Sequence, residues 1–244
     1  MAHGARGLSD AKLKVIGLVL VAASVVDCAY VQSGLPSDIT QASVVRLSAA
    51  VILEIVSWAA FPIYAWFLYA GFKNSRNLWA YGARLVALAV VCEVPYDLVT
   101  SGKAWDMSSQ NPVMGLVVAL IVLLMLRWAK QLSKLESIAV STAVIIAGAL
   151  WLLLFNVGMR MGLMPGGVLT LAFVLIFYFL DGRENTTFLV GGIVGAIAGV
   201  LPALGFVVLH FRNEEPVREK STRYVFYVLY PVLLLAGGLI RTLM

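Results

Sequence analysis

Two carboxylates and a proline lie near the end of a strongly apolar stretch, in the segment Cys92-Glu93-Val94-Pro95-Tyr96-Asp97. Glu93 and Asp97 are four residues apart, so a continuous helix would place both on one face. Pro95 lacks a backbone donor, and we expect it to kink or end the helix and to splay the pair around a bend. Two neighbouring carboxylates in low dielectric can share one proton near neutral pH, as a general base and acid pair requires. The alternative is a structural role, in which the acids pair with arginines or backbone amides.

The composition places this motif in a membrane. Hydrophobic residues make up 61% of the 244 residues, mean hydropathy is +0.92, and charged residues are only 13%, against roughly 25% in soluble domains. We predict an all-α fold, a polytopic bundle of about eight transmembrane helices, in a single domain that covers residues 1–244. The net charge of +5 is spread over short loops, so we expect a lipid bilayer as partner and no nucleic acid.

Apolar runs bounded by polar residues, glycine or proline predict where these helices lie. The seventh run is rich in glycine and contains Pro202, and it is either one kinked helix or a re-entrant pair of half-helices. The predicted spans are Leu13 to Val31, Val44 to Tyr69, Leu78 to Val99, Pro112 to Trp128, Ile138 to Val157, Gly166 to Leu180, Phe188 to Phe211 and Tyr224 to Leu243.

Lysine and arginine predict the orientation. They precede span one and follow spans two and four, which indicates a cytoplasmic N-terminus. The last loop conflicts with this scheme, because its cations would lie outside if every run crossed once. Either the seventh run does not cross once, or the early helices dominate. The cations are Arg6, Lys12 and Lys14, then Lys73 and Arg76, then Arg127, Lys130 and Lys134, and, in the last loop, Arg212, Arg218, Lys220 and Arg223.

Four acids fall within the predicted spans. Asp27 lies near the outer end of span one, and Glu93 and Asp97 lie at the outer end of span three. Glu54 belongs to span two and, at a 1.5 Å rise per residue, sits roughly 12 Å below its outer end. Charge at such depth is costly and commonly functional. We therefore expect a polar chamber that opens to the external side.

Two further polar residues are candidates for substrate contact. Arg84 lies on the inner half of the helix that carries Glu93, where it would either meet the phosphates of a cytoplasmic donor or snorkel to the interface. Asn111 precedes Pro112 at a predicted helix start, and capping of that helix is the alternative to a binding role.

Several kinds of site are excluded by residues that the sequence lacks. Cys28 and Cys92 lie in apolar runs without histidine neighbours, so we expect neither a disulfide nor a metal site. His3 and His210 are the only histidines, and neither is beside an acid of a span. The sequence has no Walker-type phosphate loop and no serine nucleophile elbow, which excludes an ATPase or hydrolase of the soluble type.

The order of several motifs resembles the TraX family, bacterial inner-membrane proteins named for acetylation of the amino terminus of conjugative pilin. The resemblance covers most of the chain, and the block from Phe61 to Asn111 is its specific part. The matching pieces are Leu13-Lys14-Val15-Ile16, Asp27, Ala60-Phe61-Pro62-Ile63-Tyr64, Gly71-Phe72-Lys73-Asn74-Ser75-Arg76-Asn77, Tyr81, Arg84-Leu85, Glu93-Val94-Pro95-Tyr96-Asp97, Gln110-Asn111, Tyr224-Val225-Phe226-Tyr227 and Tyr230-Pro231.

The resemblance implies a multi-pass acyltransferase of the bacterial cytoplasmic membrane. Its donor would be acetyl-CoA or another acyl-CoA, and its acceptor a pilin or another component of the cell envelope. Within it, the residues for proton transfer or amine binding are Glu93, Asp97 and Asp27, those that steer the donor are Arg84 and Arg76, and Asn111 and Glu54 are further substrate-binding candidates.

The chain departs from the family pattern at several positions. Cys28 and Leu233 stand where the family usually has histidine, and Trp58 stands where it tends to have arginine. The family's Asp-Tyr-Gly segment is not recognisable near residues 160–162. Histidine is the side chain best suited to general base work near neutral pH, so one alternative is a catalytically degenerate scaffold or partner-binding subunit. A small proton-coupled transporter is a second alternative, and a thioester on Cys28 is a further chemical route.

Overall fold

The computed structural model describes residues 7–36, 42–160, 164–213 and 221–243. Helices dominate it, which confirms the predicted all-α fold, and a short β-hairpin of Met159–Arg160 (β1) and Met164–Pro165 (β2) joins α6 to α7. The helices are α1 (Asp10–Val26), a π-helix (Asp27–Gln32), α2 (Val44–Ser57), α3 (Ala60–Asn74), α4 (Leu78–Thr100), α5 (Pro112–Ala129), α6 (Lys134–Leu154), α7 (Gly166–Phe179), α8 (Glu184–Ile197), α9 (Leu201–His210) and α10 (Ser221–Leu243).

Five helical segments in the described part of the chain are long and apolar enough to cross a membrane. Shorter apolar helices follow them in the C-terminal half. The five are Asp10–Gln32, Val44–Asn74, Leu78–Thr100, Pro112–Ala129 and Lys134–Leu154, and the shorter ones are Gly166–Phe179, Leu201–His210 and Tyr227–Leu243.

The chain divides into two compact units that are interleaved in sequence. Unit 1 comprises residues 1–63, 91–106 and 191–244, and unit 2 comprises residues 64–90 and 107–190. In unit 1, α1 packs against α2 and α10, and the π-helix packs against the same two helices. In unit 2, α5 packs against α6 and α7.

The third predicted span, Leu78 to Val99, matches α4, but the expectation that Pro95 could end the helix is wrong, because α4 continues through Pro95 to Thr100. Proline within a helix removes one backbone hydrogen bond, and the helix tolerates that loss here. The pair Glu93 and Asp97 therefore lies on one continuous helix, at the spacing that places both side chains on one face.

The second predicted span, Val44 to Tyr69, lies within one apolar segment, Val44–Asn74, that consists of two consecutive helices, α2 and α3. The chain turns between α2 and α3, where the amides of Trp58 and Ala59 donate to the carbonyls of Ile55 and Val56 at 3.1 and 3.3 Å. Pro62 follows in the first turn of α3, where a missing backbone donor costs little. The break separates Glu54 on α2 from the Ala-Phe-Pro motif on α3.

The seventh predicted run is a pair of half-helices, α8 and α9. Gly199 and Val200 have φ values of 136° and 67°, left-handed backbone that ends a helix. A methyl group on Gly191 would overlap the Phe206 ring, and one on Gly195 would meet the Ala203 backbone, so the two helices run antiparallel. At 1.5 Å per residue they measure roughly 21 and 15 Å, each shorter than a hydrocarbon core of about 30 Å.

Candidate functional site

Asp27 opens the π-helix and is fully buried. The wide π-turn brings residues five apart onto one face, and Gln32 Nε2 donates to Asp27 Oδ2 at 2.6 Å. Short π-helices occur frequently at functional sites. The sequence offered no signal for the π-helix, and Gln32 was not among the predicted site residues.

Arg46, at the start of α2, holds the end of the π-helix. Its Nε donates to the carbonyl of Val31 at 3.1 Å, and its Nη2 donates to the carbonyl of Tyr30 at 2.9 Å. A methyl group on Gly34 would overlap the guanidinium, so glycine is needed for this approach. Arg46 therefore caps a helix C-terminus, where a cation is favourable.

Glu54 is fully buried on α2, two turns beyond Arg46. Its Oε1 accepts a hydrogen bond from the indole Nε1 of Trp58 at 3.1 Å, and its backbone carbonyl accepts one from the Ser57 hydroxyl at 2.6 Å. Trp58 occupies the position at which the family pattern tends to have arginine. The indole keeps a donor to the carboxylate but supplies no positive charge.

Asp97 is 1% exposed, in the last turn of α4. Its Oδ2 accepts a hydrogen bond from the Asp106 amide at 2.9 Å, which ties the following loop back to the helix. Its Oδ1 is buried and has no hydrogen-bond partner in the part of the chain that the structure describes. Glu93 lies one turn earlier, half-buried, and its charge interacts with that of Asp97.

Arg241, near the end of α10, joins the segments that carry Asp27 and Asp97. Its Nη1 lies 3.3 Å from the carbonyl oxygen of Cys28 and 2.7 Å from those of Val99 and Thr100. The guanidinium caps the C-terminus of α4, as a cation favourably does. The end of α1 and the end of α4 are therefore neighbours within unit 1, and Asp27 and Asp97 lie one residue and two residues before the bonded carbonyls.

The four predicted acids all belong to unit 1. Asp27, Glu54 and Asp97 are buried side chains with protein partners, so they do not line the open polar chamber expected from the sequence. The loop that the Asp106 amide ties to Asp97 and the guanidinium of Arg241 lie at this end of unit 1.

The other predicted residues belong to unit 2. Asn111 caps α5, since its Oδ1 accepts from the amides of Val113 and Met114, and its Nδ2 donates to the Ala89 carbonyl at 2.9 Å. Arg84 is half-buried on α4, and its Nε has no hydrogen-bond partner among the residues described. Arg76 is exposed in the loop after α3. Their roles toward a substrate stay predictions.

Unit 2 also contains a cleft that the sequence did not predict, where α3, α5 and α7 end. It has a volume of about 460 Å³ and is open to solvent. The structure brings three cations together there, from the C-terminal ends of α3 and α5, which are far apart in sequence. The lining residues are Tyr69, Phe72, Lys73, Arg127, Lys130, Tyr178 and Asp181.

One ion pair crosses this cleft. Lys73 Nζ donates to both carboxylate oxygens of Asp181 at 2.7 Å. The Lys73 ammonium lowers the pKa of Asp181 below its usual range, against an opposing effect of burial and with a smaller contribution from the Tyr69 hydroxyl. Asp181 is therefore ionised near neutral pH. Arg127 and Lys130 have no ion-pair partner in the described ranges.

Comparison with known protein families gives a match over almost the whole chain. The family model described as TraX protein matches residues 9–241. The chain belongs to the TraX family. The match extends from the N-cap of α1 to Arg241 and includes both units. No curated protein and no solved structure matches the chain.

The range matched by the TraX family model also includes a residue of the site that the sequence did not indicate. Arg241 is the last matched residue, and it was not among the predicted site residues, although the structure places it on three carbonyls. Cys28, at one of the missing histidine positions, contributes one of these carbonyls.

Some residues named in the sequence analysis lie outside the described residues or side chains. They are Arg6, residues 161–163, Arg218, Lys220 and the side chains of Arg160, Arg223, Tyr224 and Phe226.

Proposed function

We propose that this TraX-family chain is a membrane-embedded acyltransferase that moves an acetyl or similar acyl group from an acyl-CoA to an amine, such as the amino terminus of a pilin or another envelope acceptor. One observation carries the proposal. Asp97 is a buried carboxylate with one oxygen fixed by the Asp106 amide and the other without a partner in the described chain. Glu93 lies one turn away on the same helix.

The reaction needs a group that takes a proton from the acceptor. The amine nitrogen attacks the thioester carbonyl, the C–N bond forms and one amine proton passes to a base. The C–S bond then breaks, and the base returns that proton to the departing thiolate, so coenzyme A leaves as its thiol. Asp97 Oδ1 suits this task, because the hydrogen bond to Oδ2 fixes the orientation of the carboxylate. Glu93, half-buried, suits proton exchange with water.

The location follows from the family and the charges. We place the chain in the bacterial cytoplasmic membrane with a cytoplasmic N-terminus, because lysine and arginine cluster in the loops after α3 and α5. In unit 1 the acid pair lies at the opposite end of α1 from Leu8. We therefore expect the acceptor amine to reach the pair from the external side.

Transfer of isotopically labelled acetyl groups tests the proposal. Membranes that contain the chain and a pilin acceptor are incubated with labelled acetyl-CoA, beside membranes with Glu93→Gln, Asp97→Asn or both. Loss of a general base lowers the rate by about 10²- to 10⁴-fold, and we expect a loss in that range at an unchanged amount of protein in the membrane. Undiminished transfer by the double variant would remove the acid pair from the mechanism.

Glu136→Gln is the matched control. Glu136 is an exposed carboxylate that completes the capping box of α6 with Ser133, and glutamine keeps that box. We expect its rate to equal that of the unchanged chain. An equal loss in this variant would mean that any removed carboxylate damages the assay.

A non-catalytic scaffold is the second candidate, and one observation favours it. Asp27 and Glu54 are held by Gln32 and Trp58, as structural acids would be, and the histidine positions of the family are Cys28 and Leu233. This candidate predicts that an envelope partner co-purifies with the chain while no acetyl group is transferred. Transfer that depends on Glu93 and Asp97 would rule it out.

A further inference from the structure

We propose that the cleft at the ends of α3, α5 and α7 binds the phosphate groups of a soluble organic phosphate. The ligand is the nucleotide end of the acyl donor, and this identity rests on the proposed function. The donor-steering residues implied by the family resemblance, Arg76 and Arg84, are not among the residues that line the cleft. The cleft is thus a separate site from the one that the sequence predicted.

The first argument is charge. Lys73, Arg127 and Lys130 face one carboxylate, Asp181, so the lining is net positive. Arg127 and Lys130 are three residues apart at the end of α5, a spacing that places them side by side. Asp181 forms its ion pair with Lys73, and the other two cations have no ion-pair partner in the described part of the chain. A phosphate group would neutralise two adjacent cations with charge-assisted hydrogen bonds.

The second argument is the aromatic lining. Lys130 Nζ lies 4.6 Å from the ring centroid of Tyr178, a cation–π contact that holds the ammonium over the ring. The Tyr178 hydroxyl is buried without a hydrogen-bond partner among the described residues. Tyr69 and Phe72 also line the cleft and provide faces on which a flat base can stack.

The third argument is size and shape. A surface patch of lysines that serves only the positive-inside rule needs no concavity. Here the cations and rings line a concave, open cleft of about 460 Å³, within the range of roughly 300–1,000 Å³ typical of small-ligand pockets. The volume suits phosphates together with part of a nucleoside.

Asp181 gives a test that is specific to this cleft, because its negative charge opposes the binding of an anionic ligand. Its carboxylate holds Lys73 through two hydrogen bonds, so a phosphate must share Lys73 or displace the carboxylate. Removal of this negative charge frees Lys73 for the ligand. Asp181→Asn is therefore expected to tighten binding, whereas most substitutions in a binding site weaken it.

Equilibrium binding of coenzyme A, without an acyl group, tests the inference. The full chain is placed in phosphatidylcholine nanodiscs and titrated with labelled coenzyme A. A hydrogen bond to a charged group contributes about 1.5–3 kcal/mol, so Arg127→Ala and Lys130→Ala should each raise Kd roughly tenfold or more. Asp181→Asn should lower Kd several-fold. Lys134→Ala removes an exposed cation of the same end of unit 2, outside the cleft, and should leave Kd unchanged.

Three results would overturn the inference. One is saturable binding of coenzyme A that neither Arg127→Ala nor Lys130→Ala weakens. A second is equal weakening by Lys134→Ala, which would indicate a diffuse surface charge. The third is binding that depends on Arg127 and Lys130 but is seen only for phosphatidylglycerol introduced into the nanodiscs, which would assign the cleft to a lipid headgroup.

The test separates this inference from the proposed function. A chain that binds coenzyme A in the cleft but transfers no acetyl group would refute the acyltransferase proposal alone. A chain that transfers acetyl groups with the same KM for acetyl-CoA after Arg127→Ala and Lys130→Ala would refute the cleft assignment alone.

Discussion

Leu8 and Arg212 are paired through their backbones in a parallel bridge. The Leu8 amide donates to the carbonyl of Phe211 at 2.7 Å, and the Leu8 carbonyl accepts from the amide of Asn213 at 2.8 Å. The start of α1 and the end of α9 therefore lie at the same end of unit 1. Arg212, at the end of the α8–α9 hairpin, therefore lies beside the start of α1, and we predict that both lie on one side of the membrane, as the positive-inside rule requires.

Cysteine labelling tests this topology. The variants are made in a background with Cys28 and Cys92 replaced. Lys12→Cys and Asn213→Cys place thiols at the Leu8 end of unit 1, and Lys103→Cys places one after the C-terminus of α4, at the other end of unit 1. We expect an impermeant maleimide to reach the first two positions from one side of the membrane and Lys103→Cys from the other. Labelling of Asn213→Cys and Lys103→Cys from the same side would mean that α8 and α9 together cross the membrane once.

Adjacent glycines test the packing of the same hairpin. A methyl group on Gly191 would overlap the ring of Phe206, whereas one on Gly192 would meet nothing within 4 Å. Gly191→Ala should lower the free energy of unfolding by about 1–3 kcal/mol through overpacking, and Gly192→Ala should leave it unchanged or raise it by up to about 1 kcal/mol. Unfolding of the purified protein in detergent gives both values, and equal effects would contradict the antiparallel arrangement.

Hydropathy predicted the fold class and most helix positions, because long apolar runs dominate the signal. It did not predict the breaks at Trp58–Ala59 and Gly199–Val200 as such, since a run of apolar residues reads alike whether the backbone continues or turns. The seventh run was left open between a kink and two half-helices, and only the contacts of Gly191 and Gly195 decide between them.

The candidate site was predictable in part. Asp27, Glu54 and Asp97 were identified because charge in an apolar run is conspicuous, and all three are buried. Their partners were not, because the π-turn to Gln32 and the approach of Arg241 depend on tertiary packing. The cleft in unit 2 is formed by the ends of three helices, so its cations looked like separate topology signals.

Arg241 should contribute measurably to stability. Its Nη1 contacts three backbone carbonyls, those of Cys28, Val99 and Thr100, and hydrogen bonds to a charged group are worth about 1.5–3 kcal/mol. We expect Arg241→Ala to lower the free energy of unfolding by about 2–4 kcal/mol, because α10 loses its tie to the π-helix and α4 and the carbonyls lose their donor. Arg241→Lys should retain part of the free energy of unfolding that Arg241→Ala loses.

Thr242→Ala is the control for this measurement. Thr242 is the next residue, it is exposed, and its hydroxyl bonds only within α10, to the carbonyl of Leu239. Its loss should change the free energy of unfolding by less than about 0.5 kcal/mol. A similar loss in both variants would show that the end of α10 frays as a unit and that the guanidinium bonds add nothing.

The Lys73–Asp181 pair predicts a pH dependence that is confined to acid. The pKa of Asp181 is lowered, chiefly by the Lys73 ammonium, so the stabilisation is fully present above the unfolded carboxyl pKa of about 3.9 and is lost as pH falls through the lower, folded value. Both side chains are about half exposed, at 53% and 44%, so solvent screening limits the contribution to roughly 0.2–1 kcal/mol. The free energy of unfolding of the unchanged chain should exceed that of Asp181→Asn by this amount, and the difference should be constant from pH 5 to 8.

Unfolding of both proteins in detergent at pH 7 and at pH 3 measures the difference. The other charged residues that line the cleft are the basic residues Arg127 and Lys130, and Asp181 is its one carboxylate. The gap between the two proteins should therefore close only below about pH 4. A gap that closes between pH 7 and 5 would mean that Asp181 is not ionised by its pairing with Lys73, and the carboxylate would then be no competitor for a phosphate at neutral pH.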